Sequence, residues 1–430
     1  MNSKIQIEIP YGEETIRCTV PTANLKGIHV PHEVPPVQDE KHEIRRALDH
    51  PIEAPPLQKV AQGAERVVIV ADDNTRLTPT HIIVPLLLNA LNAAGVPDEA
   101  VEILIALGTH RQMTESEIEQ KFGSETTGRT PVINHNCNDD GALVDLGITP
   151  GGVSVQVNRR VLEADLVLGV GSIVPHHIPG FSGGAKIIQP GVCGARTTGQ
   201  IHLLSVRRPT SLLGRMENEV RREMEAIAER AGLRAILNTI LDSEGRLIRA
   251  VYGDPRPAFR RGVEVSRRVY GVPVPEKTDI VIASSHPCDI EFWQAHKTLY
   301  PAQRCVREGG TIIVVTPCPE GLSVTHPEIA EYAGREMDEI DAAIHSGEIE
   351  DLTAGALALA WASVRRHADV AMVSDGIGGE VAQRVGFHPY ATLQEALDAA
   401  LDHHGRDATI SVLPYAPDTL PLRCGGTQML

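Results

Sequence analysis

The order of apolar and polar positions divides the chain into strands and helices. Residues 4–9, KIQIEI, alternate polar and apolar, the pattern of a strand with one face buried. Residues 28–58 carry many prolines around a short polar helix, EIRRALDH, and predict an arm lying on the surface. From Arg66 the pattern becomes regular. RVVIVADD is a continuous apolar run ending in acids, as in a parallel strand buried on both faces. HIIVPLLLNALNAAG follows as a helix ended by Gly95, and VEILIALG (101–108) as the next strand. TESEIEQKFG predicts a short helix with Thr114 as N-cap and Glu117 as its reciprocal partner. DLVLGVGSI (165–173) is a further strand. Apolar positions at Leu212, Met216, Val220, Met224, Ile227 and Ala231 make a helical stripe stopped by Gly232.

A second series begins at the proline-punctuated stretch VPVPEKTD (272–279). DIVIASS, TIIVVTP and DVAMVSDG read as strands, and LYPAQRCVREGG and TLQEALDAALDHHG as helices. Alternating strands and helices predict an α/β protein. The expected architecture is two α/β domains with parallel-type sheets, residues 1–268 and 272–404, with an active-site cleft between them. The tail 408–430 is expected to pack back on the first domain, and the stretch 266–275 to permit hinge motion.

In open parallel sheets, ligands bind beyond the carboxyl ends of the strands. Several polar groups fall at such ends. Asp72, Asp73 and Arg76 follow the first buried strand, Thr109, His110 and Arg111 the second, and His176 the third. His286, Trp293, Gln294 and Lys297 follow the first strand of the second series. Arg76 suits a bidentate clamp on a carboxylate or phosphate with Asp73 orienting it, against the plainer reading of an Asp–Arg pair in a turn. His110 and His176 suit acid/base work on the two faces of a planar intermediate. Most of the 18 histidines must still be structural or superficial. His135, His403 and His404 read as solvated, and His177 is ambiguous beside His176.

The stretch His176–His202, HHIPGFSGGAKIIQPGVCGARTTGQIH, breaks the regular pattern. Six glycines and two prolines in 27 residues exclude a continuous helix or strand. Its single lysine, Lys186, follows Gly183, Gly184 and Ala185. GFSGGAKI fails the phosphate-loop pattern, because Ile187 stands where a hydroxyl is required. GVGSIV fails the dinucleotide fingerprint at Val174, and no HExxH zinc motif occurs.

Composition narrows the function. Forty basic against 56 acidic residues give a net charge of −16, which repels nucleic acid and anionic membranes. Aromatics make up 3% of the chain, so its cores must be built from Val, Ile, Leu and Ala. Seven scattered cysteines offer neither a disulfide framework nor a zinc cluster, and a reducing, cytoplasmic setting is expected. The first residues lack the apolar core of a signal peptide, and no apolar run is long enough to span a bilayer.

The segments DDNTR (72–76), LGTHR (107–111), PHHIPGFSGGAK (175–186), QIH (200–202) and QAHK (294–297) together resemble the nickel-pincer lactate racemase family, in order and separation, over roughly residues 5–425. The resemblance implies a pyridinium mononucleotide with two sulfur donors, the nickel-pincer nucleotide, bound covalently to Lys186. It implies Ni(II) held by that group and by His202, with His110 and His176 as the two acid/bases. It implies substrate binding by Arg76, Gln294 and Lys297, with Asp73 orienting Arg76. The glycines would then let a flat group lie close to the backbone. The implied activity is racemisation of a 2-hydroxy acid by hydride transfer, and the implied partners are the proteins that build the cofactor. Two departures bear on the substrate: Trp293 stands where lactate racemases tend to carry tyrosine, and the family's pocket tryptophan is replaced by Thr353. A longer 2-hydroxy acid is therefore expected to fit. A sugar-acid (aldonate) 2-epimerase, a non-catalytic anion- or cofactor-binding protein and a metal-dependent hydrolase are the alternatives, and a homo-oligomer is left open.

Overall fold

The computed structural model describes residues 3–208 and 211–423. Two six-stranded sheets organise it. The first has the order Leu247–Gly253, Leu233–Leu241, Leu166–Ser172, Val67–Ala71, Val101–Ile105, Val132–Asn134. All its pairings are parallel except the edge pairing of Leu247–Gly253. Val67–Ala71 and Leu166–Ser172 are buried at every residue, as continuous apolar runs in a sheet covered on both faces require. Chain order reverses between these two neighbours, so their carboxyl ends open a crevice.

The second sheet is wholly parallel, in the order His388–Tyr390, Ala368–Val373, Val306–Val315, Thr278–Ser284, Ile410–Leu413, Leu25–Ile28. Its composition departs from the expected division at residues 1–268 and 272–404. Leu25–Ile28 belongs to this sheet rather than the first. So does the packing of the hairpin Lys4–Tyr11/Glu14–Pro21, whose inward side chains Ile7, Ile9, Cys18 and Val20 share a core with Ile280, Ile282 and Leu397. The tail divides. Ile410–Leu413, buried at every residue, fills an interior position beside Thr278–Ser284, where an apolar run is covered on both faces. Leu420–Arg423 pairs with Gly271–Val274, and the Leu420 side chain packs over Gly214 of the first unit. Residues 424–430 lie outside the described residues.

The expected hinge stretch is instead ordered by pairing. The helix Pro255–Tyr270, with Asp254 accepting from Arg256 N at its N-terminus, runs directly into the strand Gly271–Val274. The helix Glu115–Phe122 has the reciprocal Thr114–Glu117 cap that its sequence specifies. The stripe from Leu212 is helical only from Glu219 to Arg230, because Asn218 caps it and Gly214 (φ +71°) turns the chain before it. LYPAQRCVREGG splits into a helix, Leu299–Cys305, and the first residues of the strand Val306–Val315. No helix among the described residues is long and apolar enough to cross a membrane.

Candidate active site

One cavity between the two sheets gathers all eight residues singled out in the sequence. Asp73, Arg76 and His110 come from loops after the first unit's strands, and His176, Lys186 and His202 from the glycine-rich stretch and the helix after it. Gln294 and Lys297 arrive from the second unit. His286 does not line this cavity; it pairs with Asp289 at 3.2 Å. Arg111 is held by Glu117 and Glu320.

The loop 72–78 is fixed by buried polar contacts. Lys121 Nζ donates to the carbonyls of Arg76 (2.6 Å) and Thr78 (2.9 Å), and Thr78 Oγ1 donates to Asp72 (2.6 Å). Asp73 does not pair directly with Arg76 as expected. Its Oδ1 accepts from Thr75 N and Oγ1 at 3.1 and 2.5 Å, while Arg76 Nη1 donates to Thr75 Oγ1 at 2.7 Å. Thr75 thus stands between acid and guanidinium. Asp73 Oδ2 instead meets His110 Nδ1 at 2.6 Å. Burial alone would raise the Asp73 carboxyl, but His110, Arg76 and Thr75 outweigh it and hold it well below the usual carboxylate range.

The glycine-rich stretch is a clamped loop. Gly180 (φ +85°) would bring a Cβ 1.9 Å from Arg215 O, and Gly183 (φ +75°) would bring one 2.5 Å from the Ile173 side chain. Protein packing by itself requires these glycines, and Gly183 also lines the cavity. The buried Arg221 donates to the carbonyls of Gly183 (2.9 Å) and Phe181 and lies 4.1 Å over the Phe259 ring. Asn238 Oδ1 accepts from Gly184 N at 2.8 Å.

Lys186 reaches the cavity with no hydrogen-bond or salt-bridge partner among the described residues. Burial, then Arg76, Lys297 and Arg221, push its ammonium well below the ordinary lysine value. A neutral amine is the nucleophilic form, suited to a covalent attachment. His202 Nδ1 meets the Thr198 carbonyl at 2.7 Å, so Nδ1 carries the proton and Nε2 keeps a free lone pair. Burial lowers its pKa to about 4, leaving it neutral and able to ligate a metal near pH 7. Among the described residues, the one cluster of three metal-ligating side chains is His326, Glu328 and Asp351, and it excludes His202. No cysteine lines the cavity.

His176 and His177 stack at 4.7 Å, and His177 stacks on Tyr300 at 4.0 Å with its Nε2 buried and unpartnered. His176 Nδ1 accepts from Ile178 N at 3.2 Å, which places its neutral-state proton on Nε2. Burial, then Lys186 and His177, lower its pKa well below the ordinary histidine value. His135, read as solvated, is buried; its ring joins the Cys193 carbonyl (2.9 Å) to Asn158 (3.0 Å). Sequence patterns missed Lys121, Arg221, His296 and Tyr300. A cation on the apolar stripe of an amphipathic helix was the available signal for Arg221.

Residues 11–214 match the lactate racemase N-terminal domain family and residues 274–417 the lactate racemase C-terminal domain family. The chain is 30% identical to lactate racemase from Lactiplantibacillus plantarum over 95% of its own length and 98% of the relative's. It is also 30% identical to that from Thermoanaerobacterium thermosaccharolyticum, over 95% and 97%. The structure of the latter's apoprotein superposes with a TM-score of 0.89, covering 97% of this chain and all of that one at 29% identity. A Thermotoga maritima protein with 21% identity and a TM-score of 0.73 shares the fold.

Proposed function

This chain belongs to the lactate racemase family, and on that premise and the geometry of the cavity we propose that it racemises or epimerises a 2-hydroxy acid, lactate or a longer 2-hydroxy carboxylate. The observation that carries the reading is the pair of histidines lining one cavity, each held through Nδ1. His110, bonded to Asp73 through Nδ1, offers an Nε2 lone pair, whereas His176, bonded to Ile178 N through Nδ1, offers an Nε2 proton. His110 is ready to take a hydroxyl proton, and His176 returns one as the imidazolium.

The residues fit the implied nickel-pincer nucleotide. Lys186 is an amine without a hydrogen-bond partner among the described residues, its pKa lowered by burial and then Arg76, and able to carry the tether, and His202 offers one nitrogen to Ni(II). When bound, the group would supply the acceptor and donor of the substrate's C2 hydride. The chain's own residues do the rest. Arg76 and Lys297 converge on a carboxylate and provide the local positive field that a −16 protein needs there. Burial, then Arg76, lower the Lys297 pKa to about 8, so a bound anion strengthens its charge. His110 Nε2 removes the hydroxyl proton as a planar 2-keto acid forms. When that acid presents its other face, His176, charged to the imidazolium by a proton from solvent, returns a proton from Nε2, and His110 releases the one it took; the opposite enantiomer uses the histidines in reverse. Maturation by cofactor-building proteins in the cytoplasm is part of the same reading.

The side-chain wall favours acids longer than lactate. Thr353 and Leu357 line the cavity, while Trp361 is fully buried against Phe292 and Phe387. An adjoining cavity of about 810 Å³, also walled by His110, is lined by Gln112, Asn136, Asn138, Arg196 and Gln200. Such a lining supports the second reading, an aldonate 2-epimerase.

Expression with the pincer-cofactor biosynthetic enzymes, followed by intact mass and metal analysis, tests the reading. An adduct lost in Lys186→Ala, with nickel bound, is expected; an unmodified chain carrying zinc would end it. His110→Ala and His176→Ala should each abolish racemisation while keeping the adduct. Racemase assays on a panel of 2-hydroxy acids decide the substrate, and lactate turned over far better than every longer acid would sink the longer-chain assignment.

A further inference from the structure

Two imidazoles line the cavity beside His176 without a part in the proton transfers, those of His177 and His296. His177 stacks on the His176 ring at 4.7 Å and on the Tyr300 ring at 4.0 Å, and meets the His296 ring edge-on at 5.1 Å. His296 Nδ1 meets Tyr300 Oη at 2.8 Å. That phenol is buried, and burial raises its pKa, so it keeps its proton. It has no other partner among the described residues. If it only accepted, its own proton would be stranded; it therefore donates to Nδ1. Burial, then Lys297, hold the His296 ring neutral, so its single proton sits on Nε2. No acceptor for that proton occurs among the described residues. The carboxylates lining the cavity are engaged elsewhere, Asp72 by Thr78 and Asp73 by Thr75 and His110. His177 Nε2 is likewise buried and unpartnered. These histidines form no metal cluster among the described residues.

On the proposed reading of the cavity, on which this inference rests, the substrate carboxylate lies on Arg76 and Lys297. The hydroxyl meets His110 in one enantiomer and His176 in the other. The group on C3 then lies against the histidine that the hydroxyl leaves free. Beside His110 is the adjoining polar cavity with Arg196, and beside His176 are His177 and His296. We propose that His296 Nε2, backed by Tyr300 and His177, is the subsite for an acceptor on C3 of the enantiomer whose hydroxyl meets His110, and that this acceptor is a second carboxylate. A proton held on Nε2 and the ammonium of the adjacent Lys297 both call for a group that only accepts. A hydroxyl would turn one more donor toward them. The substrate is then a 2-hydroxy dicarboxylate, and different side chains hold the far ends of its two enantiomers.

Initial rates of the nickel-loaded enzyme with each enantiomer of malate test this in the parent, His296→Leu, His296→Gln and Tyr300→Phe. The enantiomers have equal free energies, so kcat/KM must stay equal in the two directions. Loss of a contact made to one of them therefore shows as a raised KM on that side alone. His296→Leu should raise the KM of one enantiomer about ten- to hundredfold, as loss of a hydrogen bond to a charged group does, and leave that of the other. His296→Gln, whose amide N–H can stand in for Nε2–H, should recover most of this. Tyr300→Phe, which lets the proton move to Nδ1, should show part of the loss. A KM raised alike for both enantiomers in His296→Leu, or raised for neither, overturns the proposal. So does a parent that turns over lactate or gluconate but not malate. A parent that carries adduct and nickel yet turns over no 2-hydroxy acid removes the reading of the cavity itself, a separate failure. Thermal unfolding and adduct mass check each variant; if the leucine variant does not fold, Tyr300→Phe decides, and an unchanged KM for both enantiomers there overturns the proposal.

Discussion

Asp73→Asn removes one charge and almost no volume, yet should disable the base. In the parent, Asp73 Oδ1 accepts two donors from Thr75, its backbone N and its Oγ1. The asparagine oxygen must keep that position, because an amide nitrogen there would face an N–H. Its NH2 group then faces His110 Nδ1 and donates to it. His110 must move its proton to Nε2, where it opposes the Gln294 amide and no longer offers a lone pair to the cavity. Loss of a positioned general base costs about 10²–10⁴-fold in rate. At about 1.4 kcal/mol per tenfold, that is roughly 3–5 kcal/mol of transition-state stabilisation. The assay is chiral chromatography of the reaction mixture from either enantiomer, with adduct mass and nickel content measured alongside. A kcat within about threefold of the parent, with adduct intact, would refute the tautomer argument.

Three further outcomes follow from the geometry. Arg221→Leu strands the carbonyls of Gly183 and Phe181 in an apolar surround and should lower stability by about 3–5 kcal/mol in denaturant titrations, with lost Lys186 modification. His202 has a folded-state pKa lowered to about 4, against 6.5 unfolded, so the unfolded chain binds its proton first as pH falls. Stability it contributes above pH 6.5 is lost on descent toward pH 4. Between pH 7 and 5 the cofactor-free chain should lose about 2 kcal/mol more than His202→Ala, which chemical denaturation at each pH would read. Thr353→Trp fills the wall beside the substrate and should shift the kcat/KM ratio of longer acids to lactate downward by about tenfold or more in paired racemase assays.

The site was more legible in the sequence than the boundaries of the units that build it. Loop residues after buried strands stand out because each ends an apolar run, as Asp72, Thr109 and His176 do. Their convergence follows from strand order, which the βα alternation constrains. Contacts across the fold do not show in local patterns. Asp73 serves His110, 37 residues away, and not the neighbouring Arg76 for which proximity argued. Lys121 and Arg221 read as ordinary helix cations because their carbonyl partners lie 38–45 residues away. Ile410–Leu413 was expected on the first domain, since nothing local shows that Thr278–Ser284 has an open flank. His135 was taken for solvated on residue type alone, when its two buried partners lie 23 and 58 residues on.

The placement of Leu25–Ile28 outside Ile410–Leu413 sets an order of events during synthesis. A ribosome emits the chain from one end, and domains tend to fold as they emerge. The first sheet is complete once residue 253 is out. The earlier strand Leu25–Ile28 has nothing to pair with until the chain from Gly27 to its partner Ser411, 411 − 27 = 384 residues, has been made. Until then its edge stays uncovered, an adhesive surface exposed on the nascent chain. Point changes that raise the polarity of Ile28, itself exposed in the finished fold, are thus expected to act on yield in the cell rather than on the stability of the purified protein.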